Sequence, residues 1–245
     1  MEKDLHTRNK CLKKLFPKAN FFDVGEAIAK ARMIKDKAEI KIIRKACKIS
    51  AKIAERLSSL FGSNVKECDV KAEIDYMMEK ENASPSFDTI VAFGENSSKP
   101  HHKSGEKKFA MPVLCDFGAS YKNYCSDVTR TFVSKKKQKE VYEIVEEGQF
   151  IAFDMMKEGV KAGDVAKCVN NFFMKKGFKK MFHSLGHSIG LSPHDGFSIN
   201  EKNNEMLKEN MILAIEPAIY LKNEWGIRIE DDVLVKKNGI EILTK

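Results

Sequence analysis

Two segments of the sequence each carry a pair of acidic residues beside strand-forming residues. In LCDFGASYKNYCSDVTR, Asp116 and Asp127 stand on either side of a polar turn. The flanks, residues 111–117 and 125–133, are typical of strands, and a turn centred at 121–122 predicts a hairpin in which the two aspartates face each other. Opposed like charges destabilise an antiparallel pair. A cation is therefore expected between them, either a basic side chain or a metal ion.

The second pair lies in MILAIEPAIYLKNEWGIRIEDDVLV, where two apolar runs flank a polar turn at residues 222–224. A hairpin centred on Asn223 places Glu216 opposite Glu230. Four carboxylates opposed in two hairpins would be costly without cations, and divalent ions would both neutralise them and use their oxygens as ligands. The sequence therefore favours a metal centre over a structural ion pair.

A nitrogen ligand is available in HSLGHSIGLSPHD, residues 183–195, which contains His183, His187 and His194. Imidazole is the commonest nitrogen ligand of metals in proteins. A lone histidine is more often a hydrogen-bonded core residue, but three histidines within twelve positions favour a site. Spacing alone does not say which of them binds metal.

Length and composition are those of an ordinary globular protein of 245 residues, which is enough for one large core or two smaller ones. The sequence contains no apolar run of the ~20 residues needed to span a bilayer, and its start lacks the apolar core of a signal peptide. A cytoplasmic protein is expected.

Charge and cysteine usage exclude two other classes. The net charge is +8, but Lys and Glu alternate along the helical segments, and the basic run at residues 134–140 marks a solvated element boundary rather than a nucleic-acid site. The six cysteines show no CxxC spacing, so they are predicted to be free thiols and not a zinc ribbon or a disulfide framework.

The elements that position these groups follow a repeated order of helix, helix and strands. Asp36 and Glu39 form a capping-box pattern that starts a long amphipathic helix ending near residue 62. Segments beginning Asp-Val at Asp69 and Asp164 share apolar offsets, which indicates a quasi-repeat of 95 residues. The other predicted elements are a strand at 87–93 and helices at 137–156 and 164–176. Two related halves with a site between them are expected.

From about Arg32 to Lys245 the sequence resembles the pita-bread metallopeptidases, which include prolidase, Xaa-Pro aminopeptidase, methionine aminopeptidase and creatinase. Six ordered motifs carry the resemblance: RMIKDKAEIKIIRKA, FDTIVAFGENSSKPHH, CDFGASYKNYCSDVTRTF, HSLGHSIGLSPHD, IEPAIY and GIRIEDDV. The KPHH and GIRIEDD segments are closer to the Xaa-Pro branch. The resemblance implies an α+β pita-bread fold with pseudo-twofold halves, antiparallel sheet and flanking helices.

The resemblance also implies roles for individual residues. Five would bind two divalent ions, with Asp127 and Glu230 bridging them: Asp116, Asp127, His187, Glu216 and Glu230. His101, His183 and His194 would lie on the substrate side, whereas His102 has no counterpart and is interpreted as an exposed loop residue. Phe93 or Phe182 is expected to help line the substrate pocket.

Three further predictions rest on chemistry. Strand alternation places Arg228 on the face of Glu230, where it can hold a ligand carboxylate through a bidentate contact. Glu216 is predicted to shuttle the proton from the attacking water to the leaving nitrogen. Cys125 is interpreted as a buried thiol, because four carboxylates and one imidazole already form a hard site.

The predicted reaction is hydrolysis of the Xaa-Pro bond at the N-terminus of short peptides by a hydroxide that bridges the two metals. The oxygen-rich ligand set favours Mn²⁺, with Co²⁺, Fe²⁺ and Zn²⁺ as alternatives. The partner is a short peptide, not a nucleic acid or a membrane, and a homodimer is left open.

Residues 1–31 resemble the end of an N-terminal domain whose remainder is absent, and residues 32–245 form the predicted catalytic domain. The short chain keeps methionine aminopeptidase as an alternative. A creatinase-like hydrolase and a non-catalytic binding module of the same fold are further alternatives, both disfavoured because all five ligand types are present.

Overall fold

The computed structural model describes residues 11–245, and four of its helices correspond to the predicted ones, whereas the helical residues 11–15 and 25–33 were not predicted. Residues 11–15 are helical. Five further α-helices follow: α1 Gly25–Met33, α2 Lys37–Ala54, α3 Glu67–Lys80, α4 Lys136–Met155 and α5 Ala162–Lys175.

The start of α2 confirms the predicted capping box. The Asp36 carboxylate accepts hydrogen bonds from the backbone N–H groups of Ala38 and Glu39, at 2.7 and 2.9 Å, and the Glu39 carboxylate accepts from the Asp36 N–H at 2.8 Å. The helix ends at Ala54 rather than near residue 62, and a 3₁₀ turn, Leu57–Leu60, continues it. Ser59 donates its hydroxyl to the Arg56 carbonyl, which competes with regular helical bonding.

Thirteen short strands form four antiparallel groups, and two of these groups build the site. A three-stranded sheet has the order β2-β3-β6, and a five-stranded sheet has the order β13-β12-β9-β7-β8. Smaller groups are β1-β4-β5 and the hairpin β10-β11. The strands are β1 Ser84–Pro85, β2 Ile90–Phe93, β3 Val113–Phe117, β4 Ala119–Tyr121, β5 Tyr124–Cys125, β6 Val128–Phe132, β7 Gly186–Ser188, β8 Ser198–Ile199, β9 Ile212–Ile215, β10 Ala218–Leu221, β11 Trp225–Arg228, β12 Asp231–Lys236 and β13 Gly239–Ile242.

The core is divided in the way the quasi-repeat predicts. One apolar cluster packs α2 and α3 against the β2-β3-β6 sheet, and another packs α4 and α5 against the five-stranded sheet. A bridge between Thr129 and Glu230 joins the two sheets, with the Glu230 N–H donating to the Thr129 carbonyl at 3.1 Å. The site lies at this junction.

The register of the first hairpin differs from the prediction. Lys122 and Asn123 both have positive φ, which fits a two-residue hairpin turn, so Tyr121 faces Tyr124 and Asp116 faces Thr129. The predicted direct pairing of Asp116 with Asp127 is therefore wrong. A two-residue shift keeps side chains on the same face, so the aspartates become diagonal neighbours that still converge.

Asp127 lies in a break between β5 and β6, opposite Gly118. A side chain at position 118 would collide with the Ser126 carbonyl, since a Cβ there would lie 1.8 Å from that oxygen. Glycine therefore allows the two backbones to approach closely where the first hairpin changes sheets.

The second hairpin has the predicted register, with Ala218 facing Arg228. The ladder is interrupted at Pro217 and resumes in the same register with Ile215 facing Asp231, so Glu216 lies opposite Glu230 as predicted, without ladder hydrogen bonds between them. Pro217 has no N–H to extend the ladder, and the Glu230 N–H is already bonded to Thr129. Both glutamates thus sit at sheet ends, one directly after β9 and the other directly before β12.

Three further expectations concern the domain boundary, membrane-spanning helices and the cysteines. The predicted boundary after residue 31 falls inside α1, and residues 1–10 of the predicted remnant lie outside the described residues. From Cys11 onward, no helix combines the length and the apolar character needed to cross a bilayer. All six cysteines are free, as predicted, and Cys125 is buried.

Candidate metal centre

Three predicted ligands form a compact buried cluster at the junction of the two sheets. One ligand atom from each of Asp127, His187 and Glu230 lies within 4.8 Å of the other two. Glu216 adjoins this cluster, with its Oε1 3.8 Å from His187 Nε2. Asp116 on β3 is also buried, and its charge contributes to the raised pKa of Asp127 and of Glu230.

His187 is oriented for ligation through Nε2. Its Nδ1 lies 3.3 Å from the Ser188 carbonyl, to which it donates, and its Nε2 faces Asp127 Oδ2 at 3.7 Å. The ring stacks on His194, with centroids 3.9 Å apart. Burial lowers the pKa of His187 to about 4, so the imidazole is neutral at physiological pH. A neutral ring with a fixed Nδ1–H presents the Nε2 lone pair to the carboxylates.

The surroundings of the carboxylates disfavour their ionised form. Burial, reinforced by the other carboxylates, raises the pKa of Asp127 and of Glu230 well above their usual range. Burial also raises the pKa of Glu216 to about 7. Desolvation and like charge both disfavour ionisation, whereas a nearby cation favours it. Four acidic groups in this position call for more positive charge than the chain itself supplies.

Within residues 11–245, Arg228 is the guanidinium that is hydrogen-bonded to one of these carboxylates. Its Nη2 is hydrogen-bonded to Asp116 Oδ2, its Nη1 donates to the Tyr220 hydroxyl at 2.6 Å, and its Nε donates to Thr129 Oγ1 at 3.1 Å. Thr129 in turn donates to Glu230 Oε2 at 2.6 Å. Arg228 contacts the carboxylate of Asp116, a predicted ligand, through one oxygen rather than a bidentate fork, and its role at a metal site stays a prediction.

The donor set fits a divalent cation. Asp116 Oδ1 is buried and has no hydrogen-bond partner, and one arginine cannot balance four carboxylates. Oxygen atoms with one neutral imidazole are ligands for hard or borderline ions. Cys125, two residues before Asp127, has its pKa raised by burial to about 11, so it is a poor ligand.

Two of the three histidines predicted on the substrate side, His183 and His194, contact residues of this cluster. His183 Nδ1 donates to the Ser184 carbonyl at 2.7 Å and lies 3.9 Å from Glu216 Oε2, while its buried Nε2 has no partner. Burial lowers the pKa of His194, and neighbouring His101 lowers it further. Burial raises the pKa of Asp116, and the positive charge of Arg228 and, to a smaller extent, His101 oppose this rise.

The two aromatic predictions have opposite outcomes. Phe93 is fully buried and packs edge-on against Phe61 and Phe109, so it belongs to the core and does not line a pocket. Phe182 is 72% exposed, and its ring centroid lies 5.4 Å from those of both His183 and Tyr220. It is therefore available to a substrate.

His102 corrects another expectation, because it is not an exposed loop residue. Its Nε2 lies 2.8 Å from Glu67 Oε2, and its side chain is only 13% exposed. The buried Glu67 carboxylate also accepts hydrogen bonds from the Phe93 N–H and Asn96 Nδ2, both at 2.8 Å, and from the Gly105 N–H at 3.1 Å. Burial alone would raise the pKa of Glu67, but these hydrogen bonds together lower it by more, so the pKa lies below its usual value.

Glu67 thus fixes both ends of the 93–105 loop that carries His101. Sequence reasoning missed this role, because a glutamate in the first turn of an amphipathic helix ordinarily faces water and favours the helix dipole. The only signal was the polar NSSKPHH run, whose partners the pattern could not identify.

We expect Glu67→Gln to weaken this loop. The amide nitrogen would face groups that now donate to a carboxylate, and leaving buried donors unpaired costs about 1–3 kcal/mol of unfolding free energy. Urea denaturation measures the loss, with Glu73→Gln on the exposed face of the same helix as the control. Equal stability of the two variants would show that the network does not hold the loop.

A second missed group lies behind Asp127. Asp232 is fully buried, and its Oδ2 accepts the Asp127 N–H at 2.9 Å and the Cys47 thiol at 3.3 Å. Burial raises the pKa of Asp232 to about 8. Its neighbour Asp231 is held by Arg130 at 2.7 Å. The two acidic residues after Glu230 therefore fix the backbone around the cluster rather than entering it.

An α+β fold that gathers acidic residues and one neutral histidine between two sheets presents the oxygen and nitrogen donors that divalent ions prefer in proteins. The sequence model of metallopeptidase family M24 matches residues 41–237, and the chain belongs to that family. The predicted family resemblance is thereby confirmed.

Curated relatives give the same affiliation. The chain is 39% identical over 244 residues to the Xaa-Pro dipeptidase of Pyrococcus horikoshii, covering 96% of this chain and 70% of that protein. It is 42% identical over 234 residues to an uncharacterized peptidase of Methanocaldococcus jannaschii, covering 91% and 66%. The chain spans about two thirds of the length of these relatives.

Solved structures confirm the predicted pita-bread α+β fold. The prolidase of Pyrococcus horikoshii superposes with a TM-score of 0.93 at 38% identity, covering 98% of this chain and 71% of that one. The X-Pro aminopeptidase of Thermotoga maritima superposes with a TM-score of 0.89 at 37% identity, covering 96% and 69%.

Proposed function

We propose that this chain is a dinuclear metal-dependent peptidase that hydrolyses the Xaa-Pro bond at the N-terminus of short peptides. The observation that carries the proposal is the convergence of the buried carboxylates on the neutral imidazole of His187 in a member of family M24. Similarity to proteins named Xaa-Pro dipeptidase and X-Pro aminopeptidase supports the bond specificity.

Five residues would hold the two ions, namely Asp116, Asp127, His187, Glu216 and Glu230. The family resemblance implies that Asp127 and Glu230 would be shared by both ions, and a carboxylate oxygen of each lies within 4.8 Å of one on the other. We favour Mn²⁺, since the donors are mostly carboxylate oxygen. When bound, such ions supply a Lewis acid and make water a nucleophile near neutral pH.

The chain's own residues supply proton transfer and charge stabilisation. Glu216 is assigned to take the proton from the attacking water and deliver it to the departing nitrogen, since its carboxylate is buried beside His183 and His187. One histidine, His194 or His101, is assigned to donate a hydrogen bond to the oxyanion of the scissile carbonyl. Arg228 keeps Asp116 in place through the contact at Oδ2.

A preference for proline follows from what the pocket must accept. An Xaa-Pro bond has no N–H, so an enzyme that cleaves it cannot depend on that donor and needs apolar surface for the ring. Phe182 and Tyr220 provide such surface next to His183.

The specificity is tested by comparing Ala-Pro, Ala-Pro-Ala and Met-Ala-Ser as substrates with Mn²⁺ present. We expect kcat/KM to be higher for both proline peptides than for Met-Ala-Ser, and addition of a chelator to remove all activity. Faster cleavage of Met-Ala-Ser would reassign the chain as a methionine aminopeptidase. Absence of turnover together with absence of bound metal would favour a non-catalytic binding module.

A further inference from the structure

A cleft of about 710 Å³ opens next to the metal centre and extends beyond the Phe182 and Tyr220 surface that is assigned to the proline ring. Three segments line it: residues 98–99, residues 177–182 and the hairpin turn 218–224. It adjoins the site through Tyr220, whose hydroxyl accepts a hydrogen bond from Arg228, and through Phe182, whose ring lies 5.4 Å from that of His183. A molecule in the cleft therefore lies close to the reacting groups.

The floor of the cleft is aromatic. Phe182 is the most exposed large apolar side chain in this region, at 72%, and it packs on Tyr220 at a tilt of 44°. Exposed aromatic surface beside a site is a common anchor for a peptide chain.

The rim of the cleft is strongly positive. Of its four lysines only Lys180 has a carboxylate partner within the described part of the chain, Glu201 at 2.9 Å. The one acidic residue of the rim, Glu224, is paired with Lys137 outside it at 3.3 Å. The remaining lysines have no carboxylate partner among residues 11–245, and they are Lys99, Lys179 and Lys222.

The direction of a bound peptide follows from the proposed function, on which this inference rests. A peptidase that removes one N-terminal residue has a single residue upstream of the scissile bond, so any longer stretch of substrate must lie downstream. A cleft of this size leading away from the metal centre therefore accommodates the residues that follow proline.

We propose that this cleft binds the downstream part of peptide substrates and selects those with an acidic side chain within the three residues after proline. The carboxylate would replace the missing partners of Lys99, Lys179 and Lys222, and the backbone would cross Phe182. Because the lysines are exposed, their contribution to each contact is modest and depends on salt.

The test uses three peptides with amidated C-termini, Ala-Pro-Ala-Glu-Glu, Ala-Pro-Ala-Gln-Gln and Ala-Pro-Ala-Lys-Lys, together with Ala-Pro. We expect kcat/KM for the Glu peptide to be about fivefold higher than for the Gln peptide. The value for the Lys peptide should be about fivefold lower than for the Gln peptide, and each exchange corresponds to roughly 1 kcal/mol. High salt should reduce both ratios. Calorimetry should show tighter binding of the amidated product Pro-Ala-Glu-Glu than of its Gln analogue.

The double variant Lys179→Gln/Lys222→Gln should bring the Glu-to-Gln ratio close to one, whereas Lys175→Gln, on the exposed surface of α5 outside the cleft, should retain it. Equal rates for all three longer peptides, or cleavage of Ala-Pro alone, would overturn the inference while leaving the proposed function intact. Failure to cleave any proline peptide would instead remove the proposed function, and the product-binding measurement would then decide the cleft's preference by itself.

Discussion

Asp127→Asn is expected to abolish peptide hydrolysis and to leave the fold intact. The substitution removes the anion at the centre of the carboxylate cluster, and metal ions contribute several kcal/mol of transition-state stabilisation, so the rate should fall by about 10³-fold or more. Turnover of Ala-Pro with Mn²⁺ measures the effect. Asp154→Asn, on an exposed position of α4, is the matched control and should keep normal activity.

The same variant should be at least as stable as the wild type when metal is removed. Burial and neighbouring carboxylates raise the pKa of Asp127, so its ionised form destabilises the metal-free fold at neutral pH, and an amide avoids that cost. Thermal unfolding in a chelator should therefore show an unchanged or higher midpoint. Wild-type turnover in Asp127→Asn, or a collapsed fold, would contradict the assignment of this residue as a metal ligand.

Arg228→Met is expected to destabilise the metal-free protein by about 3–5 kcal/mol, because it leaves Asp116 buried beside other carboxylates without a compensating charge. Saturating Mn²⁺ should restore part of this loss, since the ions supply positive charge to the same carboxylates and bind only the folded state. Urea denaturation with chelator and with Mn²⁺ separates the two contributions.

Arg228→Lys is the informative comparison. Lysine keeps the charge but cannot reach Asp116, Tyr220 and Thr129 at once as the guanidinium does. It should therefore be more stable than Arg228→Met in chelator and less stable than wild type. Equal stability of all three proteins would show that Arg228 does not balance the carboxylates.

Features encoded by local patterns were predictable from the sequence. The capping box at Asp36 and the register of the second hairpin depend on residues close together in the chain, and both agree with the structure. The ordered motifs also identify the family and its fold, since several of them match in sequence order.

Features set by turn geometry or tertiary contacts were not predictable. The first hairpin register depends on φ at Lys122 and Asn123, and moving the turn centre by one residue changed the partner of Asp116 to Thr129. The partners of Glu67 and Asp232 come from distant segments that no local pattern connects. The burial of His102 was missed for the same reason.

The predicted ligand set depends on both kinds of information. Residue types indicated a metal centre, and the fold brings Asp127, His187 and Glu230 together, but binding of ions by the five residues stays a prediction. Elemental analysis of metal per chain, after equilibration with Mn²⁺ and removal of free ion, tests it most directly. We predict about two ions for the wild type and a clear loss in Asp127→Asn, whereas a wild-type protein that retains no metal would contradict the dinuclear centre.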